Sequence, residues 1–390
     1  MTKSKISFIL FCLIEAFSCA AQPQLTRLIQ DGEYGIGFFD TIIHKDVKSY
    51  REFGYLGVEP MFVKVWHPIK KDTAQESLSF GAIHRPISDA KHKNVYQELL
   101  AQTDTIIKNN LLAEELFTWD PLHFGELNAN DVLDSLMNLQ TNSVYRTLSK
   151  KSKFPVIVYH HGTQGSADEN SLMAEFFASR GYIFVSANFH LPYEDKILGI
   201  EETTMCLDIQ IKSLISFAES LTRSNTLFYM GHSWGAQVGW YTLHQKGLAE
   251  AFVSLETTIE FKTDTNEIKD KWPCVYESLI TKKQKLKTPV LIIANTGNDK
   301  PFTFFEGAGI KSRIEVSAKE EFLHESYTSL YLMRYFLEPK IHQPDFSALE
   351  NQLKLYEQHV LLIDEYLRNY KRKKIDLGKF SDHFFISKRN

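Results

Sequence analysis

The sequence predicts an α/β fold: a mostly parallel, doubly wound sheet with a helical cap or insertion. Three observations point to it. Between residues 154 and 336, short apolar runs of strand length alternate with longer segments whose apolar residues recur at helical spacing. Pro155–Tyr159 is continuously apolar, as a strand covered on both faces must be, and Pro289–Ile293 is the clearest strand in the chain. A glycine-flanked serine, Ser233, falls at one of the switches from run to helix.

The elements follow in order. Residues 22–87 read as irregular structure and strands; Met61 to Trp66 is the clearest strand there and stops at His67-Pro68. Residues 88–150 read as polar and helical. Leu99, Leu100, Ile106, Ile107, Leu111 and Leu112 recur at roughly helical spacing, as do Val132, Leu133, Leu136 and Leu139. This stretch is expected to be an insertion packed on the core.

From Phe154 the texture changes. Strands are expected at Pro155–Tyr159, Tyr182–Val185, Leu227–Met230, Ala251–Leu255, Pro289–Ile293 and Ser312–Val316. Helices are expected at Leu172–Ser179, Thr204–Leu221, Gly235–Gln245 and Ser326–Phe336, while 257–287 shows no clear pattern. Residues 346–374 carry one more amphipathic pattern. The expected organisation is a leader at 1–21, the main α/β domain at 22–340 with the insertion at about 88–150, and a C-terminal helical extension at 341–390.

The chain has 390 residues, 43% of them hydrophobic, ample for a full core. Its net charge of −4 lacks the basic footprint of a nucleic-acid binder, so no nucleic-acid partner is expected. At the N-terminus, Lys3 and Lys5 precede the apolar run Ile6 to Phe17, and Ser18, Cys19, Ala20 and Ala21 follow. That order is a secretory signal, and the run is too short to span a bilayer comfortably. Export is therefore expected, secreted or periplasmic, with cleavage after Ala20 or Ala21; a lipid anchor on Cys19 is the other outcome. Cys206 and Cys274 would remain, as a disulfide or as two buried thiols.

The chemistry gathers around Gly231-His-Ser-Trp-Gly235, a G-x-S-x-G motif directly after an apolar strand and directly before a helix. A nucleophile elbow needs that context, because the turn is so tight that its flanking positions tolerate little beyond glycine. The bare pattern arises by chance, and the bland alternative is a glycine-rich turn with an exposed serine. A hydroxyl needs a base. Of the histidines after the serine (His244, His324, His342, His359 and His383) only His324 falls in a loop just after a sheet strand. It is the expected base, against the reading of a surface loop histidine.

Two carboxylates stand at strand ends between them, Glu256 and Asp299. Glu256 ends an apolar strand, an awkward place for a charge without a purpose; Asp299 lies in a Thr-Gly-Asn-Asp-Lys loop, where aspartate is also a turn former. Glu256 is the expected acid, with Asp299 the alternative. The oxyanion donors are expected to be the N–H groups of Trp234 and of Thr163, in the His160-His161-Gly162-Thr163 loop. The two histidines, with His190, could instead bind metal, but no further ligand stands at metal spacing; no cofactor or metal is expected.

The run Pro155-Val-Ile-Val-Tyr-His-His-Gly-Thr, the Ser179-Arg-Gly-Tyr step, Gly-His-Ser-Trp-Gly and the late His324 resemble the platelet-activating-factor acetylhydrolase group and the wider dienelactone-hydrolase-like esterases. The resemblance covers about residues 154–335. It implies an α/β-hydrolase fold, no metal, and cleavage of carboxylic esters with short or modified acyl groups on a small-molecule or lipid substrate. It also implies that the acid lies after the strand following the elbow helix, at Glu256, where the group commonly has aspartate. The alternatives are a serine peptidase on the same fold and an inactive binding protein. The basic run Lys371–Lys374 could touch an anionic membrane surface, although the helix dipole accounts for cations at that helix end.

Overall fold

The computed structural model describes residues 32–389 except 72–75, 86–89, 113–128, 149, 195–208, 244–246, 263, 282–285, 295–301, 307, 311, 337–345 and 373–374. The expected leader, Cys19, Cys206 and Asp299 lie outside the described residues.

Among the described residues ten strands form one sheet: β1 (Gly35–Tyr50), β2 (Gly57–Ile69), β3 (Ser143–Tyr145), β4 (Val156–His160), β5 (Ile183–Ala187), β6 (Leu227–His232), β7 (Ala251–Leu255), β8 (Val290–Ala294), β9 (Arg313–Ala318) and β10 (Phe384–Arg389). Their order is β10-β9-β8-β7-β6-β4-β5-β2-β1-β3. Strands β4 to β9 run parallel to one another, while β2 is antiparallel to both β5 and β1, and β10 to β9. The chain leaves β4 for β5 on one side and then crosses to β6 on the other. That reversal opens a crevice at the carboxyl ends of β4 and β6, where open α/β sheets place their sites. The chain has the α/β-hydrolase fold.

Among the described residues the six longer helices are α1 (Lys93–Leu112), α2 (Ala129–Met137), α3 (Ser171–Ser179), α4 (Ile209–Ser220), α5 (Trp234–Thr242) and α6 (Phe346–Asn369). Strand β4 shows why its sequence is apolar throughout. Val156 and Val158 join the core beneath α4 and α5, while Ile157 and Tyr159 join the core beneath α3 and α6. Alternate side chains point to opposite faces, so a strand covered on both must be apolar at every position.

Two expectations need correction. The single helix at Ser326–Phe336 is broken into a 3₁₀ turn (His324–Tyr327), a helical turn (Ser329–Leu332) and a second 3₁₀ turn (Met333–Phe336). Thr328 between them is extended, with φ −109° and ψ 141°. Tertiary hydrogen bonds hold the break: Ser329 N–H donates to Asn170 Oδ1 at 3.0 Å, and Ser329 Oγ donates to Glu169 O at 3.1 Å. The C-terminal segment is also more than helical. After α6, β10 joins the sheet edge, and Leu353, Tyr356, Val360 and Ile363 of α6 are buried in the main core. The patternless stretch 257–287 resolves into a 3₁₀ turn, the short helices Thr265–Lys271 and Pro273–Tyr276, and a π turn. Cys274 is disulfide-bonded.

Candidate active site

Ser233 sits between β6 and α5 with φ 50° and ψ −117°, a left-handed conformation that non-glycine residues rarely adopt. The flanking glycines explain how the turn closes. A Cβ on Gly231 would stand 2.5 Å from Ala236 N, and one on Gly235 would stand 2.2 Å from His160 O. Neither position has room for a side chain. Ser233 N–H donates to Leu255 O at 2.9 Å, which ties the elbow to the end of β7.

The next residue along β7 is Glu256. It too is left-handed, φ 37°, and its side chain is buried. Thr258 follows at φ 66°. The turn is stitched by its own acids: Thr258 N–H donates to Glu256 Oε1 at 3.2 Å, while the Thr257 hydroxyl donates to Glu260 Oε2 at 2.6 Å and its N–H at 3.0 Å. Burial pushes the Glu260 carboxyl up to about 7.

The other oxygen of Glu256, Oε2, abuts Nδ1 of His324. His324 opens the first 3₁₀ turn after β9, so three strand ends bring serine, acid and imidazole to one edge of the sheet. Helix α6 braces the loop that carries His324: Gln352 accepts from Leu323 N–H at 3.0 Å and donates to Glu321 O at 2.7 Å. Burial, and then the neighbouring His232 imidazole, push the pKa of His324 down. The carboxylate at Nδ1 selects the tautomer with the proton on Nδ1. Nε2 is then left as the basic nitrogen.

Ser233 and His324 line one cavity of about 410 Å³. Thr163 lines it too, in a turn closed by Gly165 N–H on Gly162 O at 3.1 Å. A Cβ on Gly162 would lie 3.3 Å from Ser233 Cβ, so the loop packs directly on the elbow. Trp234 follows the serine as the first residue of α5, with its ring stacked on His190 at 4.6 Å. Its N–H belongs to the helix N-terminus, which favours negative charge. The far wall is α1, through Thr103, Ile106 and Ile107. The insertion thus supplies one side of the cavity.

The histidines weighed as metal ligands are otherwise engaged. His161 has both ring nitrogens occupied, Nδ1 on Gly162 O at 2.7 Å and Nε2 accepting from Phe189 N–H at 3.0 Å. His160 lies flat on Phe189, ring centroids 3.6 Å apart. Among the described residues no cluster of three or more His, Cys, Asp or Glu could hold a metal ion.

Sequence reasoning missed two buried groups in the same cavity, Glu169 and His232. It also missed a charged network that fastens α1 to the sheet. Lys64 Nζ meets Asp168 Oδ2 at 2.8 Å, Asp168 Oδ2 meets His84 Nδ1 at 2.7 Å, and His84 Nε2 meets Asp104 Oδ1, on α1, at 3.0 Å. A lysine within the apolar strand β2 was the available signal, since a buried cation must have a partner.

No protein-family model matches the sequence, and no curated protein matches it. Solved structures do. A ferulic acid esterase from Streptomyces cinnamoneus is similar at a TM-score of 0.56 and 13% identity, over 95% of this chain and 100% of that one. An acylaminoacyl peptidase from Pyrococcus horikoshii matches at a TM-score of 0.40 and 16% identity, over 60% of this chain and 40% of its own. At such identity the first likeness shows the fold, the α/β-hydrolase fold, and the second adds no argument.

Proposed function

We propose that the protein is a serine hydrolase that cleaves carboxylic esters with short or modified acyl groups through an acyl-enzyme. One observation carries the reading: a serine held left-handed at a strand-to-helix elbow shares a cavity with an imidazole whose Nδ1 is met by a buried carboxylate. A histidine oriented in this way can take a proton at Nε2, and a serine in this turn has its hydroxyl raised toward the cavity. Ser233 attacks the ester carbonyl and His324 accepts its proton. The N–H groups of Trp234 and Thr163 hold the oxyanion. Glu256 stabilises the imidazolium, His324 returns the proton to the leaving alcohol, and water then releases the acid. The signal-like N-terminus supports an exported enzyme.

The test is labelling with a fluorophosphonate followed by peptide mapping, alongside a panel of p-nitrophenyl esters and aminoacyl amides. Label on Ser233 and ester turnover are expected. Ser233→Ala should remove both, on the order of 10⁶-fold in kcat. Faster turnover of the amides would make the protein a peptidase, and no label with no turnover would leave a binding protein.

A further inference from the structure

The triad leaves two buried ionisable side chains of the cavity unused. Glu169 and His232 are each 5% exposed, and both line the cavity that holds Ser233. A carboxylate taken out of water is costly unless it is paired, so its partners show what it holds.

A single oxygen, Glu169 Oε1, meets three parts of the site. It accepts the Tyr159 hydroxyl of β4 at 2.6 Å and the Gly162 N–H of the oxyanion loop at 3.3 Å. It also lies 3.7 Å from Nδ1 of His232, the residue just before the nucleophile. The loop wraps the carboxylate closely: a Cβ on Gly165 would stand 2.1 Å from Glu169 Oε2. The far nitrogen of His232, Nε2, lies 3.3 Å from the backbone oxygen of His324. The two rings are 4.8 Å apart, and Tyr327 stacks on His232 at 6.2 Å. Burial alone would raise the Glu169 carboxyl, but the His232 and His161 imidazoles and the Tyr159 hydroxyl bring it below its ordinary value.

We propose that Glu169 and His232 form a positioning pair that fixes the oxyanion loop and the His324 loop in register with Ser233. The chain of contacts runs from Gly162 N–H through Glu169 and the His232 ring to the His324 carbonyl. It crosses directly behind the nucleophile and touches both groups that must be aligned with it. The contacts of the pair are to Tyr159 and to the backbone of the two loops, so it acts through the loops that it joins. Displacement of either loop costs the transition state more than the bound ester, because oxyanion and imidazolium exist only there.

This inference rests on the serine-hydrolase reading, and the experiment separates the two. Wild type, Glu169→Gln, His232→Gln and the double variant are compared for kcat, KM, thermal midpoint and the rate of fluorophosphonate labelling at Ser233. Each single variant should lose about ten- to a hundredfold in kcat and in labelling rate, with KM within about threefold. The double variant should be no worse than the poorer single one, since either change severs the same link. Should Glu169→Gln fail to fold, His232→Gln decides alone: lost kcat at retained KM supports the pair, and unchanged kcat overturns it. Losses that multiply in the double variant, or KM rising in step with any fall in kcat, also overturn it. A wild type that takes no label at Ser233 fails the parent reading, whereas a labelled wild type with equally reactive variants sinks only the pair.

Discussion

Glu256 Oε2 lies against Nδ1 of His324, and it arrives there from a left-handed turn at the end of β7. Strand β7 is hydrogen-bonded to both β6 and β8. Glu256 is therefore anchored to the same rigid sheet as the serine. Glu256→Gln keeps the shape and loses the charge that steadies the imidazolium, so kcat should fall on the order of 10³–10⁴-fold with little change in KM. Asp299→Asn should cost less than tenfold. Steady-state kinetics of the two variants checks the assignment, and the reverse order would give the acid to Asp299.

The elbow makes a second expectation sharp. Gly235→Ala would set a Cβ 2.2 Å from His160 O, a backbone atom at the end of β4 that has little freedom to retreat. Overpacking of this kind costs about 1–3 kcal/mol where the chain can relax. Relaxation here must move the start of α5 and with it Ser233. The variant should show a lowered thermal midpoint and labelling at Ser233 slowed at least tenfold. Native labelling would show that the turn is looser than its geometry implies.

How α1 is fastened predicts a pH dependence of stability. Burial would lower the pKa of His84, but Asp168 and Asp104 raise it above its ordinary 6.5. A raised pKa in the folded state stabilises fully below 6.5 and loses that contribution as pH rises through the folded value. Asp104 works in the opposite direction. Burial is outweighed by His84 and Arg85, which hold it below its ordinary 3.8, so its share is present above that value and lost as pH falls. The thermal midpoint should therefore decline from about pH 6.5 upward in the wild type. In Asp104→Asn that decline should be shallower, because His84 has lost one of its carboxylates. Parallel profiles from pH 6 to 9 would dissociate the network from stability.

Much of this was legible in the chain because the constraints are local. Strands β4 to β8 are apolar at most positions, since each is covered on both faces. Ser233 is marked by glycines that have no room for a Cβ, and Glu256 by a charge where an apolar strand ends. Glu169 carries no such mark. It sits in Ser166-Ala-Asp-Glu-Asn170, which reads as solvated turn formers, and only the fold brings Tyr159, Gly162 and His232 around it. The same holds for β10, whose pairing with β9 is a tertiary contact, and for Thr328, whose extended backbone is set by neighbours distant in sequence.

For the N-terminus, the expected outcome is a mature chain that has lost residues 1 to about 20 or 21. Intact-mass measurement of the exported protein checks it. A diacylglycerol adduct on Cys19 would mark the lipid-anchored form, and an unprocessed Met1 in the cytoplasm would refute export.

The cavity wall supplied by α1 yields the expectation closest to substrate choice. Ile106 and Ile107 are both nearly buried, at 8% and 3% exposed, yet both line the space beside Ser233. Their side chains therefore bound the room open to the acyl or alcohol group. Ile106 belongs to the smaller cluster with Leu99, Tyr96 and Phe62, whereas Ile107 belongs to the main core. Ile106→Ala is thus the gentler way to enlarge the cavity, at a stability cost of about 2–3 kcal/mol. It leaves the Asp104 contact with His84 in place, so α1 should stay docked. Activity on p-nitrophenyl esters should then shift toward longer acyl chains, with the ratio of kcat/KM for octanoate over acetate rising at least fivefold, since about 1–3 kcal/mol of discrimination follows from a methylene's worth of pocket space. A chain-length profile that matches the wild type, in a variant with an unchanged fold, would mean that the substrate lies along the Glu325 and Tyr331 side of the cavity instead.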